Sequence, residues 1–181
     1  MKPIDDNKQR GAVAIEFAML FGVFFVVVYA IIAYSIPLLL MLTFKQVSAD
    51  AARHALRVDP AVSNYTQVLS QEVSKVVNDS WLPDNWVGGG CPAPQAGAAG
   101  YVWQPLTAVG GKSYGNFALD NRDPLAPRVV LHVCLQRLYN QEGSSEQRAI
   151  LPTLRLFGIS VPSLPEQDGN IVLRGETTVT L

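Results

Sequence analysis

The chain has 181 residues, room for one membrane anchor and one modest domain and too few for a large multidomain enzyme. Its 14 Lys and Arg against 15 Asp and Glu leave a formal net charge of -1, which gives no electrostatic footprint for nucleic acid as a partner. A hydrophobic share of 49% is ordinary for a soluble protein, so its distribution decides the class: residues 17–44 carry no charge at all.

At about 1.5 Å per residue, that run makes a helix of roughly 42 Å against a hydrocarbon core of about 30 Å. It exceeds the apolar core of a cleaved secretory signal, about 7–15 residues, and no small-x-small cleavage site stands out behind it at a suitable distance, so the segment stays attached. The excess length fits either a tilted span or a helix that continues past the lipid and packs on protein. Pro37 has no N–H to donate and predicts a helix kink near residues 33–37. Flanking charges do not set the orientation: Lys2, Lys8 and Arg10 precede the run, and Lys45, Arg53 and Arg57 come after it. Cys91 and Cys134 both lie beyond the span. They read either as a disulfide in an oxidising compartment, worth roughly 4 kcal/mol in the chain-entropy model, or as two unpaired thiols in a cytosolic domain.

The segment before the run is the most informative. Glu16 lies at the edge of an apolar stretch, where a carboxylate needs a reason. It either marks the start of the membrane helix, favoured there by the helix dipole, or has a partner to neutralise. Around it, Arg10-Gly11-Ala12-Val13-Ala14-Ile15-Glu16-Phe17-Ala18 combines a basic leader, a Gly, and a Glu five residues later with an aromatic next to it. This resembles a class III prepilin signal, and more closely the start of TadE-like and TadF-like pseudopilins of the tight-adherence (Flp, type IVc) pilus system. The resemblance implies cleavage after Gly11 by a membrane-embedded prepilin peptidase, with Lys8, Arg10, Gly11 and Ala12 as the processing residues. It implies partners among other pilins, pseudopilins and inner-membrane assembly proteins, and a place in the bacterial inner membrane with the leader cytoplasmic and the bulk periplasmic. Cutting after Gly11 creates an ammonium at Ala12, and Glu16 at i+4 lies on the same helix face as a counter-ion for its own or a neighbour's amine. Phe17 joins Glu16 as an assembly residue.

Beyond the span, the Ala-rich and Arg-rich stretch 45–57 is similar to the post-membrane stretch of TadE-like proteins, and it predicts a helix running to about Val58. Asp59-Pro60 reads as a cap and first-turn proline opening a second helix with a stripe of Val62, Tyr65, Leu69, Val73 and Val76. Residues 83–127 hold 6 prolines and 8 glycines and predict turns and loops, with Trp81, Trp86, Tyr101 and Trp103 folded over a core or forming a binding surface. The final third reads as antiparallel sheet: a half-buried strand with Val129, Leu131, Val133 and Leu135 on one face and Cys134 on the other, an apolar run over 154–161, and a strand with Ile171, Leu173, Thr177, Val179 and Leu181 on one face.

Enzyme motifs fail. Gly111-Lys112-Ser113 imitates a P-loop end, but Leu106 stands where its first Gly belongs. Asp120-Asn121-Arg122-Asp123 lacks the glycine and Glu of a calcium loop and reads as a turn, and His54 and His132 lack metal-ligand spacing apart from His132 two residues from Cys134. The expectation is a non-enzymatic α+β protein without cofactor or metal: leader 1–11, transmembrane and assembly helix 12–44, helical stalk and second helix 45–79, and a disulfide-tied sheet domain 80–181. Two other readings share this architecture: a minor pseudopilin of a type II secretion system, and an uncleaved, membrane-anchored extracytoplasmic binding module.

Overall fold

The computed structural model describes residues 7–94, 100–122, 128–140, 144, 148–151, 154–156, 159–164, 166–167 and 169–181. In chain order the elements are helices α1 (Asn7–Ala55) and α2 (Tyr65–Asn78), then strands β1 (Gln104–Pro105), β2 (Gly115–Asp120), β3 (Arg128–Leu138), β4 (Leu154–Leu156), β5 (Ile159–Val161), β6 (Glu166–Gln167) and β7 (Asn170–Thr180). The fold is α+β, with two compact units: Met1–Ile36 with Thr153–Ser163, and Pro37–Pro152 with Leu164–Leu181.

In the first unit, α1 leaves residues 12–28 exposed on every side, and the first fully covered position is Ala33. Strands β4 and β5 form a separate two-stranded hairpin, so the apolar run 154–161 is two short strands outside the main sheet, where one sheet strand was expected. Gly158, which interrupts that run, lies outside the described residues.

In the second unit, β1-β2-β3-β7-β6 make one sheet with antiparallel neighbours throughout. α1 runs unbroken through Pro37, and its buried positions recur at Pro37, Leu40, Phe44, Val47, Ala51 and Ala55, three or four residues apart as one helical face requires. That face lies on β7: Ser48 Oγ is 3.0 Å from Thr177 Oγ1. At Gly175 a methyl group would collide with the backbone of Phe44 and Lys45. Gly175 is thus the gap in the stripe Ile171, Leu173, Thr177, Val179 through which strand and helix touch. Because backbone is what a side chain would meet, Gly175→Ala is expected to cost at least about 1–3 kcal/mol, read as a lowered urea midpoint. An unchanged midpoint would show that helix and strand are not held this closely.

The sheet is thicker than the sequence pattern suggests. β3 is buried on both faces from Val130 through Leu135, correcting the half-buried reading. Its second face is closed by the Gly-rich connection: Cys134 is joined to Cys91 with Cα atoms 6.1 Å apart, Trp103 lies edge-on to His132 at 5.9 Å, and Gly88 pairs with Gln136. That connection also supplies β2, a six-residue strand hidden in a stretch whose glycines predict loops.

The helix boundaries shift as well. α1 ends at Ala55, although hydrogen bonds from Arg57 to His54 and from Val58 to Ala55 continue the winding more tightly to Val58. Asp59 caps a turn, its Oδ1 accepting from Ala61 N at 2.9 Å, and does not open α2, which begins six residues later behind Asn64. The later start rotates the buried stripe to Leu69, Val73 and Val77, with Ser70 and Ser74 beside it, leaving Val62 exposed and Val76 at the edge.

Candidate processing and assembly segment

Lys8, Arg10 and Gly11 fall within the first turns of α1, whose helical backbone already begins at Asn7. Ala12 and Glu16 stand one helical turn apart, and both are exposed. Phe17 stacks on Phe21 with ring centroids 6.2 Å apart, the start of an aromatic ridge that includes Phe24 and Phe25. Phe17 is 68% exposed and Phe25 60%, values that water would penalise and that a lipid or helix partner would relieve. Residues 12–32 would span about 31 Å as a helix, close to a hydrocarbon core of about 30 Å. Of the two explanations for the overlong apolar run, the burial pattern favours the second: from Ala33 onward the helix has a protein-covered face. Charge and hydropathy alone do not show where that change falls.

Residues 11–53 match the family model described as TadE-like protein. The TadE-like match opens on Gly11 and closes in the last turn of α1, so it takes in the exposed segment, Glu16, Pro37 and the face that packs on β7. The match covers 43 of the 181 residues. Searches of curated proteins and of solved structures gave no match.

Outside the TadE-like segment, the groups that suggested chemistry are occupied with structure. Lys112 of the P-loop imitation donates Nζ to the carbonyls of Asp84, at 2.6 Å, and Val87, at 3.0 Å, pinning the Gly-rich connection. Arg122 Nε donates to Asp120 Oδ1 at 2.8 Å, its backbone N–H donates to the same oxygen, and its NH2 group bonds Tyr101 Oη at 2.8 Å. The guanidinium holds the Asp120 carboxyl well below the usual carboxylate range. Asp120 through Arg122 is the expected turn, and Asp123 lies outside the described residues. Trp86 lies under the Arg137 guanidinium at 5.3 Å and Trp103 is edge-on to Tyr101 at 5.7 Å, while Trp81 is exposed. Most of this aromatic set therefore closes the second face of the sheet.

His132, Cys134 and Glu176 bring potential ligand atoms within 4.8 Å of one another, a clustering across β3 and β7 that sequence spacing does not reveal. The Cys134 sulfur is bonded to Cys91 and so is not a thiolate, which a metal centre there would need. His132 instead places Nδ1 2.9 Å from Thr178 Oγ1. Burial lowers its pKa, Glu176 pulls it up, and Arg174 adds to the lowering. The unfolded chain thus takes up this proton at a higher pH than the folded one, so His132 costs stability as pH falls through about 6.5. Between pH 7 and 5.5 the melting temperature of the wild type is expected to fall more steeply than that of His132→Gln. Parallel profiles would contradict the assignment.

Proposed function

We propose that this protein is a pseudopilin subunit of a tight-adherence pilus, matured by a prepilin peptidase that cuts after Gly11, and that it acts by assembly. The observation that carries the reading is the match over residues 11–53 combined with a helix whose residues 12–28 present apolar side chains on every side. In this reading residues 12–32 cross the inner membrane with the leader cytoplasmic and the sheet unit periplasmic, where Cys91 and Cys134 are oxidised. Gly is among the poorest helix formers, so the winding is weakest at Gly11, where the peptidase must open the backbone to reach the scissile carbonyl. Lys8 and Arg10 hold the leader on the cytoplasmic side and each contributes singly and modestly to peptidase recognition.

After the cut, Glu16 neutralises the new Ala12 ammonium, in its own chain or in a neighbour, and Phe17 with the aromatic ridge packs on other pilin helices. The domain order of leader, assembly helix, helical stalk and sheet unit suits this mechanism. Replacing Gly11 with Val is expected to leave the leader attached and to abolish recovery of the protein with affinity-purified pilus assembly components. Recovery at the wild-type level with an uncut leader would instead favour the membrane-anchored binding module.

A further inference from the structure

The second face of the sheet gathers two cysteines, a histidine and a glutamate, and the histidine lacks a partner on one nitrogen. β3 and β7 are in register at Cys134 with Glu176 and at His132 with Thr178. Residues two apart on a strand share a face, and cross-strand partners stand side by side on it, so His132, Cys134 and Glu176 converge, with ligand atoms within 4.8 Å of one another. The disulfide brings the Cys91 sulfur to the same place. The His132 side chain is only 4% exposed, and its two nitrogens differ. Nδ1 lies 2.9 Å from Thr178 Oγ1, whereas Nε2 has no hydrogen-bond partner among the described residues and stands 3.7 Å from a Glu176 carboxylate oxygen. A buried ring nitrogen left this way costs free energy. The 3.7 Å separation is too long for a hydrogen bond. It is close to the separation of about 3.3 Å between a nitrogen and an oxygen that share one tetrahedral zinc. Donation of Nδ1–H to Thr178 leaves the lone pair on Nε2, the tautomer and the outer hydrogen bond of a metal-bound imidazole.

We propose that, once the Cys91–Cys134 bond is reduced, Cys91, His132, Cys134 and Glu176 form a tetrahedral zinc site, so that disulfide and metal are alternative staples for the same covered strand. A dithiol supplies the electrons and protons that turn the disulfide into two thiols, and itself becomes a disulfide. Zinc then binds as both thiols release their protons, and two thiolates, a neutral imidazole and a carboxylate surround one Zn2+. The oxidised chain excludes the metal because both sulfurs are held in the S–S bond. Zinc is the metal because soft thiolates combined with imidazole in a tetrahedral set select it over the harder cations. The Glu176 side chain is 57% exposed and opens a path from solvent to the buried sulfurs. Chains are made in a reducing compartment, so the thiol form precedes the bridge.

The test uses the full-length protein in detergent micelles, with zinc content and urea midpoint measured for the oxidised form and for the form reduced and freed of reductant without oxygen. The expected result is about one zinc retained per reduced chain and none per oxidised chain, with a urea midpoint of the reduced protein that zinc raises because the metal binds the folded state. His132→Gln should weaken zinc binding at least about tenfold and abolish the rise in midpoint. Cobalt in place of zinc should give the visible bands of a tetrahedral site, shifted in Glu176→Gln. A reduced wild type that retains no zinc would overturn the proposal. So would zinc held equally by the wild type, His132→Gln and Glu176→Gln with no rise in midpoint, which is binding by the thiols alone.

Discussion

Breaking the Cys91–Cys134 bridge is expected to lower the stability of the sheet unit by about 4 kcal/mol, the largest single loss available to the fold outside its apolar core. The two cysteines are 43 residues apart, and a crosslink of that span removes a large share of the conformational freedom of the unfolded chain. Its position adds to the effect. Cys134 is fully buried in the middle of β3, and Cys91 lies within the connection that covers the second face of that strand. Without the bridge, the cover is left to weaker contacts such as Gly88 pairing, the Lys112 pins, the Gln136 and Arg137 hydrogen bonds to Gly89 and Asn85, and the stacking of Trp86 and Trp103. Cys91→Ala, Cys134→Ala and the double variant should therefore show nearly the same fall in urea midpoint, because each removes the same crosslink. Leader removal should be untouched, since the cut lies far upstream in the sequence. A midpoint unchanged by substitution or reduction would contradict this account of the covered strand.

The second large effect falls on assembly alone. Glu16→Gln keeps the shape of the side chain, but in the processed protein it leaves the Ala12 ammonium without its carboxylate, at a cost on the order of a few kcal/mol when the pair is desolvated between helices. The ammonium does not exist until the bond is cut, so processing should proceed normally while recovery with pilus components falls at least tenfold. Glu16→Asp should lie between the two, because its shorter arm spans less of the helical turn. The alternative, that Glu16 only marks the membrane edge, requires both variants to co-purify with assembly components like the wild type.

The long helix, the second helix, the disulfide partners and the two long strands of the sheet were legible in the sequence, because each rests on local pattern: an uncharged run, a helical stripe, a lone cysteine pair, period-two alternation. The features that escaped it depend on neighbours distant in the chain. β2 lies in a stretch whose glycines and prolines read as loop, and its strand state comes from pairing with β3. The burial of both faces of β3 comes from the connection folded over it, which no periodicity within β3 encodes. Gly175, which no local pattern marks, is the contact point for α1, since only the absence of a side chain lets Phe44 approach. The candidate segment shows the same division. Glu16 could be picked out by its charge in an apolar stretch, and Gly11, Ala12 and Phe17 by the resemblance of residues 10–18 to a prepilin signal, whereas the change from exposed to covered helix near Ala33 depends on which residues pack there. Tyr34 carried one hint, a hydroxyl within an apolar run, and Ser163 is its partner.

The central claim is that the chain is processed as a prepilin, and it is tested most directly by the intact mass and amino-terminal sequence of the protein isolated from membranes of cells that carry the pilus system. The account predicts a mature chain that begins at Ala12 and becomes full-length when the prepilin peptidase is removed. A chain that still begins at Met1 in cells making functional pili would contradict it.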